Sequence, residues 1–316
     1  MNRTKMERSS YFIKDKALFG SFPTQEAIYE LEQEGVRYFI NLTQTYEKRI
    51  TPYITNYKSI SFPITDRHVP HNWKEFSCFL FYVAFIINSL NNKELIYIHC
   101  KGGHGRSGVV VACLMCLMFN MTPENALEHT RISHSKRSIM RDKWRKLGAP
   151  QTKHQKRFVH NFFEPLYFYR AYKNGITAGF SNFTSHEITY KGIIYPTSEA
   201  AIQAYKNPED QEYIVRQSQS RTPVISKSMG RKVYLRPDWL NVCDEIMYEI
   251  IKCKFDQHPE LKINLVNTGL RPIIQHTHGD CFWGDGGNGK GQNRLGKVLM
   301  RLRKYYYQQI SHEMFD

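Results

Sequence analysis

The sequence is poor in acidic residues and has no long apolar segment. It carries 29 Asp and Glu against 44 Lys and Arg, for a formal net charge of +15. Its longest apolar stretch, residues 76–87, is shorter than the about 20 residues that cross a bilayer, so it predicts a buried helix and no membrane span. Residues 1–8 carry charge with no apolar segment behind them, and we expect no secretory signal.

A disulfide framework is also missing. Seven cysteines, an odd number, are scattered over 316 residues, whereas disulfide-stabilised proteins are short and dense in cysteine. We therefore expect a reducing compartment, the cytoplasm, with the nucleus not excluded. The length suggests about two domains. With 41% hydrophobic and 14% aromatic residues, the composition excludes a disordered chain.

The positive charge is uneven along the chain. Residues 1–165 hold 24 basic and 14 acidic residues, and the remainder holds 20 and 15, so the excess is +10 and then +5. Residues 131–157 contain ten Lys and Arg and one acid, Asp142. Such a cluster attracts phosphates, nucleic acid or anionic membranes. The alternative is a set of solvated helix faces, and the cluster alone identifies no partner.

The two halves of the chain differ in pattern. The first half alternates helical and extended segments, which favours an α/β domain with a mainly parallel sheet over residues 1–165. Its segments are a helix at 25–34, extended stretches at 37–42 and 59–64, a helix at 74–90, a buried strand at 94–99 and helices at 107–120 and from 122. Residues 166–316 predict a mainly helical α+β unit, with helices near 198–205, 240–255 and 293–307.

Ten residues carry the clearest chemistry, His99-Cys-Lys-Gly-Gly-His-Gly-Arg-Ser-Gly108, between the buried strand and a helix. A thiol there faces the positive end of a helix dipole, which favours the thiolate and makes Cys100 a nucleophile. Gly102, Gly103 and Gly105 let the backbone curl into a cradle for phosphate. Arg106 can contact that phosphate through two bonds, and Ser107 can donate to the sulfur.

Cys-x5-Arg-Ser preceded by His resembles the signature of cysteine-dependent protein phosphatases, and residues 11–163 resemble their compact dual-specificity branch. A buried, inert cysteine, as we infer for Cys113 and Cys116, is the alternative. The reaction also needs a general acid. Asp66 lies 34 residues before Cys100, is the only acid in its loop, and resembles the family's acid-loop aspartate in position. A turn or cap aspartate is the alternative for Asp66, and His68 stays unassigned.

The substrate of this half is less constrained. Lys101 and His104 add positive charge to the loop, as in phosphatases that act on phosphoinositides or RNA ends. The simpler interpretation is that Lys101 points to solvent. We expect the loop residues 101–105 to bind phosphate, with phosphotyrosine, phosphoserine or phosphothreonine on protein as the leading substrate and other anionic phosphate esters as alternatives.

The second half combines aromatics near loops, isolated carboxylates and a glycine-rich turn, which suits a nucleotide-like ligand. Gly284-Asp-Gly-Gly-Asn-Gly-Lys290 matches a P-loop pattern, but Gly291 replaces the Ser or Thr that would hold magnesium and no apolar strand precedes it. His276, His278 and Cys281 lack the spacing of a structural zinc site. We therefore expect neither an ATPase nor a metal, and no cofactor.

Four ordered blocks of this half resemble the NADAR family, named for its link to NAD and ADP-ribose, over residues 168–305. They are Phe180-Ser-Asn-Phe183, Pro196-Thr-Ser-Glu199 with Gln203-Ala-Tyr-Lys206, Arg236-Pro-Asp-Trp239, and Trp283-Gly-Asp-Gly286 ending in Asn293-Arg-Leu-Gly-Lys-Val-Leu-Met300. The resemblance implies cleavage of an N-glycosidic bond. Its substrates would be ADP-ribosylated guanine in nucleic acid or, alternatively, early riboflavin-pathway intermediates.

The same resemblance gives candidate residues by motif position. Glu199 and Asp285 would stabilise the oxocarbenium-like transition state, and Lys206 would neutralise phosphates or attack the opened ribose. The ligand-binding candidates are Phe180, Asn182, Phe183, Trp283 and Gly284. Structural alternatives are a helix cap for Glu199, a turn for Asp285, a solvated Lys206 and a core Phe183.

These features predict a bifunctional hydrolase. One alternative is a phosphatase joined to a module that binds ADP-ribose or nucleic acid without turnover. The other is a phosphatase alone, with the basic helices of 131–157 docking non-specifically on nucleic acid.

Overall fold

The computed structural model describes residues 7–169 and 175–315, which form two compact units. The first unit runs to Glu164 and includes the residues from Gln308 onward, and the second is Pro165–Tyr307. The predicted boundary at 165 therefore needs one correction, because the end of the chain groups with the first unit. Phe315 explains this grouping, since its ring stacks on Tyr82 at 5.2 Å.

The first unit contains a five-stranded sheet in the order β1-β2-β5-β3-β4. The strands are β1 Ser9–Ile13, β2 Ala17–Gly20, β3 Val36–Asn41, β4 Lys58–Ser61 and β5 Leu95–His99. Only the β1–β2 pair among these strands is antiparallel, which confirms the predicted mainly parallel α/β sheet. The helices are α1 Gln25–Gln33, α2 Trp73–Ser89, α3 Arg106–Phe119, α4 Pro123–Ser135, α5 Asp142–Leu147 and α6 Lys153–Phe162.

Strand β5 lies at the centre of this sheet, and all five of its residues are buried. Its burial on both faces explains the unbroken apolar run in the sequence. The carboxyl end of β5 leads directly to Cys100, and α3 follows six residues later. This strand, turn and helix were predicted within one or two residues.

The second unit has two small sheets surrounded by helices. Strands β6 Leu166–Phe168 and β9 Ile273–Gln275 are parallel, and β7 Ile188–Tyr190 and β8 Ile193–Tyr195 are antiparallel. The helices are α7 Ser198–Ala204, α8 Gln211–Ser218, α9 Pro223–Gly230, α10 Trp239–Gln257, α11 Pro259–Asn267 and α12 Arg294–Phe315. Helices α7, α10 and α12 were predicted, whereas α8, α9 and α11 were not.

A buried lysine fixes one loop of this unit to α10. Lys254 is fully buried, and its Nζ donates to the Ser181 carbonyl at 2.9 Å and to Thr184 Oγ1 at 2.7 Å. Burial lowers the pKa of Lys254 to about 7. The loop 181–184 is thereby held against the core, next to the start of α7. Across the described residues, no helix is long and apolar enough to span a membrane.

Candidate active sites

The Cys100 loop, residues 100–105, is fixed at both sides by neighbouring strands. The Leu42 amide donates to the His99 carbonyl at 2.9 Å, and the Phe22 amide donates to the Lys101 carbonyl at 3.1 Å. Cys100 is 3% exposed, and its Sγ lies 3.5 Å from Ser107 Oγ in the first turn of α3. The thiol therefore sits where the sequence predicted, between a buried strand and a helix N-terminus.

Two glycines of this loop are required by the space available. Gly103 has a φ of +71°, and a Cβ there would lie 2.4 Å from the Gly20 carbonyl carbon. A Cβ on Gly105 would lie 2.8 Å from the Gln155 side chain. The close approach of these segments explains why the loop needs glycine at both positions.

Arg106 is 1% exposed and points back toward the loops that follow β3 and β4. Its guanidinium binds both carboxylate oxygens of Glu47, the second at 3.0 Å, and donates to the Ile64 carbonyl at 2.9 Å and to Asp66 Oδ1 at 3.1 Å. Burial would raise the pKa of Glu47, but the hydrogen bond and charge of Arg106 lower it overall. Glu47 is thus ionised and holds Arg106 in position.

Glu47 was missed by sequence reasoning. It is the only acid in residues 42–57, a signal equivalent to the one that identified Asp66 in its own loop. Asp66 itself is 58% exposed at its side chain, and its loop is held by His68. The His68 ring contacts the Asp66 carbonyl at 2.8 Å, and Gln155 donates to the His68 carbonyl at 3.1 Å.

The two candidates that were expected to add charge to the Cys100 loop have different surroundings. Lys101 is exposed and its Nζ donates to the Lys48 carbonyl at 2.7 Å. His104 contacts His134 Nε2 at 2.8 Å through Nδ1, and its ring stacks on Trp144 at 4.8 Å. Burial, with the charge of Arg137, lowers the pKa of His104 to about 4, so the ring is neutral at neutral pH. The positive charge expected from His104 is therefore absent.

Arg137 belongs to the basic cluster of 131–157 but is 2% exposed. It donates to the Gly103 carbonyl at 2.8 Å, the Phe19 carbonyl at 3.0 Å and Ser10 Oγ at 3.3 Å. Burial lowers the pKa of Arg137 to about 10, which leaves the guanidinium charged at neutral pH. This member of the cluster anchors the Cys100 loop rather than facing solvent, a role that its position in a basic run does not indicate.

In the second unit, the start of α7 is joined to the loop at Asn182. The Glu199 amide donates to the Asn182 carbonyl at 3.1 Å, and Ser198 Oγ donates to Asn182 Oδ1, also at 3.1 Å. The Asn182 side chain also reaches Met247 Sδ at 3.4 Å and is 7% exposed. The Asn182 side chain thereby links its loop to α7 and α10, and its expected contact with a ligand stays a prediction.

Glu199 is a buried carboxyl with one direct partner. It is 6% exposed, and Gln203 Nε2 donates to its Oε1 at 2.8 Å. Burial raises the pKa of Glu199, against the hydrogen bond from Gln203 and the charges of Lys227 and Lys206. The helix cap is supplied by Thr197, whose side chain accepts from the Ala200 amide, so capping does not explain Glu199.

Lys206 follows α7 and is half-buried, not solvated. Its Nζ donates to the Gly230 carbonyl at 3.1 Å and lies 6.0 Å from the centre of the Trp239 ring. Burial lowers the pKa of Lys206, while the charge of Glu199 opposes that shift. Nucleophilic attack by an amine requires its neutral form, and the lowered pKa gives Lys206 a larger neutral fraction than an ordinary lysine has.

Two residues that the sequence did not single out complete this group. Lys227 Nζ lies 3.8 Å from Asp280 Oδ2 and 5.6 Å from the centre of the Phe183 ring. The Lys227 charge lowers the pKa of Glu199, and the Asp280 charge raises it. We call Glu199, Lys206, Lys227, Asp280 and Phe183 the Glu199 cluster.

Asp285 shapes the loop between β9 and α12. Its Oδ1 accepts from the Thr277 amide at 3.1 Å and the Gly287 amide at 2.8 Å, and its Oδ2 contacts His276 Nδ1 at 2.8 Å. Although burial would raise the pKa of Asp285, these bonds lower it overall. Both oxygens take part in these contacts, and Asp285 thereby holds the turn in shape.

The remaining candidates divide between this loop and the core. Trp283 is half-buried, with its amide 2.8 Å from Asp280 Oδ1. Gly284 is required by space, because a Cβ would lie 2.5 Å from Thr277 Cγ2. Phe180 is fully buried and packs on Phe168 and Phe255, each at 5.9 Å. The expectation that Phe180 stacks on a ligand is therefore wrong, since its ring belongs to the core.

The parts of the chain that the structure describes contain no group of three or more His, Cys, Asp or Glu residues arranged to hold a metal ion.

Comparison with known proteins agrees with this two-part description. Residues 7–159 match the family described as Swiss Army Knife protein, DSP-PTPase phosphatase domain, and residues 167–305 match the NADAR domain. Protein 197R of Invertebrate iridescent virus 6, provisionally named a tyrosine phosphatase, is 34% identical over 297 residues, covering 93% of this chain and 90% of that protein.

Two further relatives each match less than half of this chain. N-glycosidase YbiA of Shigella flexneri is 41% identical over 127 residues, which are 40% of this chain and 79% of YbiA. Riboflavin biosynthesis protein VVA0006 of Vibrio vulnificus is 36% identical over 144 residues, which are 45% of this chain and 38% of that protein.

Proposed function

This chain belongs to the family that joins a DSP-PTPase phosphatase domain to a NADAR domain of the YbiA N-glycosidase type, and we propose that it is a bifunctional hydrolase with one reaction in each unit. The observation that carries the proposal is that each unit gathers its own reactive groups. The first holds a buried thiol beside Ser107 and an arginine that contacts Asp66. The second holds the Glu199 cluster.

In the first unit, the Cys100 thiolate attacks the phosphorus of a phosphate monoester, and Asp66 protonates the departing oxygen. Water then attacks the phosphocysteine, Asp66 takes its proton, and the sulfur leaves with a hydrogen bond from Ser107. Arg106 stabilises the transferring phosphoryl group. Its alignment by Glu47 supports this role, because a guanidinium fixed in advance loses little freedom when phosphate binds.

A phosphorylated protein is the substrate that this loop favours. Polyanionic substrates such as phosphoinositides or RNA 5′ phosphates call for extra positive charge beside the thiolate. His104 is neutral, so one of the two expected sources of that charge is absent, and the Lys101 ammonium is directed to the Lys48 carbonyl. Phosphotyrosine and phosphoserine or phosphothreonine esters need only the cradle and Arg106.

The phosphocysteine step is tested with an aryl phosphate at neutral pH. Cys100→Ser should abolish phosphate release, and Cys281→Ser, which changes an exposed cysteine of the other unit, should not. Phosphate release by Cys100→Ser at the wild-type rate would rule out the mechanism.

In the second unit, we propose cleavage of the bond between ribose C1′ and a base nitrogen, with ADP-ribosylated guanine in nucleic acid as the substrate. Water supplies a hydroxyl to C1′ and a proton to the departing base. Glu199 stabilises the positive charge that develops on the ribose, and its raised pKa suits it to carry the proton between water and base.

The cluster offers partners for the rest of such a ligand. Lys206 and Lys227 suit a diphosphate, and Phe183 and Trp283 suit the rings of the ligand. Lys206 alternatively forms an imine with the opened ribose, because burial favours its neutral amine. Asp285 acts as a positioning residue that holds the loop carrying Asp280 and Trp283.

A second candidate substrate follows from the relative VVA0006, whose name places that protein in riboflavin biosynthesis. Ribosyl-phosphate intermediates of that pathway carry the same kind of C–N bond. Parallel assays on ADP-ribosylated guanine DNA and on such an intermediate distinguish the two. Glu199→Gln should lose turnover on the true substrate, and Glu260→Gln, at an exposed carboxylate, should not. Tight binding without product release would instead favour a binding module.

A further inference from the structure

A basic segment crosses the second unit between α8 and α10. Residues 221–237 contain no acid and carry five basic side chains, at Arg221, Lys227, Arg231, Lys232 and Arg236. All but Lys227 and Arg236 are exposed, and those two are half-buried. A run of like charge next to a reactive cluster indicates an anionic partner larger than a single phosphate.

This segment borders the Glu199 cluster. Lys227 belongs to the cluster, and the charge of Arg231 contributes to lowering the pKa of Lys206. The Arg236 amide donates to the Lys206 carbonyl at 2.8 Å, so the chain returns to the end of α7 after leaving α9. The basic side chains therefore start at the reactive groups and continue outward along the surface.

An aromatic ring stands between the basic residues. Tyr234 is 90% exposed and lines a cavity of about 450 Å³ whose wall also contains two carboxylates, Glu209 and Asp238. Asp238 accepts two hydrogen bonds from Arg236, at 2.6 and 2.9 Å, so the charge of Arg236 is compensated within the protein. Solvent exposure of a large ring has no folding advantage. Such a ring can stack on a base while the exposed cations that precede it, Arg231 and Lys232, contact the neighbouring phosphates.

We propose that Lys227, Arg231, Lys232 and Tyr234, the 227–234 strip, bind single-stranded nucleic acid and deliver one nucleotide of the strand to the Glu199 cluster. The inference deepens the proposed N-glycosidase function and rests on it for the chemistry at the delivered base. Single strands fit better than duplex because stacking on Tyr234 needs an unpaired base. An acidic protein partner would match the same cations but would offer no base for the exposed Tyr234 ring to stack on.

The binding test uses the full chain, a short fluorescent oligothymidylate and anisotropy over a range of salt concentrations. Lys232→Glu should weaken binding about tenfold and flatten the dependence of log K on log salt by about 0.7 or more. Tyr234→Ala should weaken binding about tenfold with little change in that slope. Lys153→Glu is the matched control, since it makes the same charge change at an exposed residue of the 131–157 cluster.

Turnover separates this inference from the proposed function. On a substrate reduced to one ADP-ribosylated guanosine, Lys232→Glu and Tyr234→Ala should match wild type. On an oligonucleotide that carries the same modification, they should raise KM about tenfold. If the strip variants weaken oligonucleotide binding but wild type turns over neither substrate, the result would support the proposed binding strip and contradict the proposed N-glycosidase activity. Wild-type affinity in both strip variants, or an equal loss in Lys153→Glu, would overturn the strip.

Discussion

Replacing Arg137 with alanine should loosen the Cys100 loop of the first unit. The Arg137 guanidinium is buried and joins three segments, through the carbonyls of Gly103 and Phe19 and the hydroxyl of Ser10. It also lies 4.4 Å from the centre of the Phe19 ring. Its removal leaves two buried carbonyls without their donor and a cavity against an aromatic ring.

The expected cost follows from those contacts. Loss of a charged donor from a buried acceptor costs about 1–3 kcal/mol, and two carbonyls lose theirs, so we expect about 3–5 kcal/mol in the free energy of unfolding. For a unit of this size, the midpoint of thermal unfolding should fall by about 10 °C. Because Gly103 lies within the loop, kcat on an aryl phosphate should also fall, by about tenfold or more.

Differential scanning fluorimetry and aryl phosphate kinetics measure both effects. Arg137→Lys is the informative second variant, because it keeps the charge but cannot reach three acceptors, and should fold with a reduced kcat. Arg141→Lys, at an exposed position of the same cluster, is the matched control. Wild-type melting and kcat in both Arg137 variants would refute the anchoring role.

Three further results are expected. Asp66→Asn should slow hydrolysis of alkyl phosphates more than that of aryl phosphates with good leaving groups, and an equal loss of kcat/KM on both would remove it from the acid role. Glu199→Gln should become more stable than wild type as pH rises from mildly acidic to neutral. Burial raises the pKa of Glu199, so its protonated form is the stable one in the folded protein. Wild type therefore loses stability as pH rises through that raised pKa, whereas glutamine does not titrate. A pH-independent difference in melting temperature would contradict this. Asp285→Asn should lower the melting temperature by about 5 °C near neutral pH, since its ionised form accepts from His276 and two amides. The depressed pKa of Asp285 makes that deficit shrink as pH falls through it, and a deficit that grows on acidification would contradict the assignment.

The sequence predicted those elements whose pattern is set by burial. Strand β5 and helix α3 are buried almost throughout, so their apolar runs were clear. Helix α2 was predicted within one residue for the same reason. Helices α8 and α9 have eight residues each and expose much of their surface, and no helix was predicted for either. Their starts are marked by the caps Asp210 and Thr222 and, in α9, also by Pro223 in the first turn.

The placement of candidate site residues followed from the sequence within local motifs and not across the fold. Cys100, Arg106 and Ser107 lie in one strand-turn-helix unit, so their spacing determines their arrangement. Glu47 is 59 residues from Arg106, and only the sheet brings the two together. Phe180 illustrates a different error. The same local sequence allows an aromatic residue beside a loop motif to face either the core or a ligand.

The central claim is that one chain carries two independent hydrolytic sites. Wild type, Cys100→Ser and Glu199→Gln should be assayed side by side for phosphate release from an aryl phosphate and for ADP-ribose release from ADP-ribosylated guanine DNA. We predict that Cys100→Ser loses only phosphate release and that Glu199→Gln loses only ADP-ribose release. Loss of both activities in either properly folded variant, or retention of both, would contradict the claim.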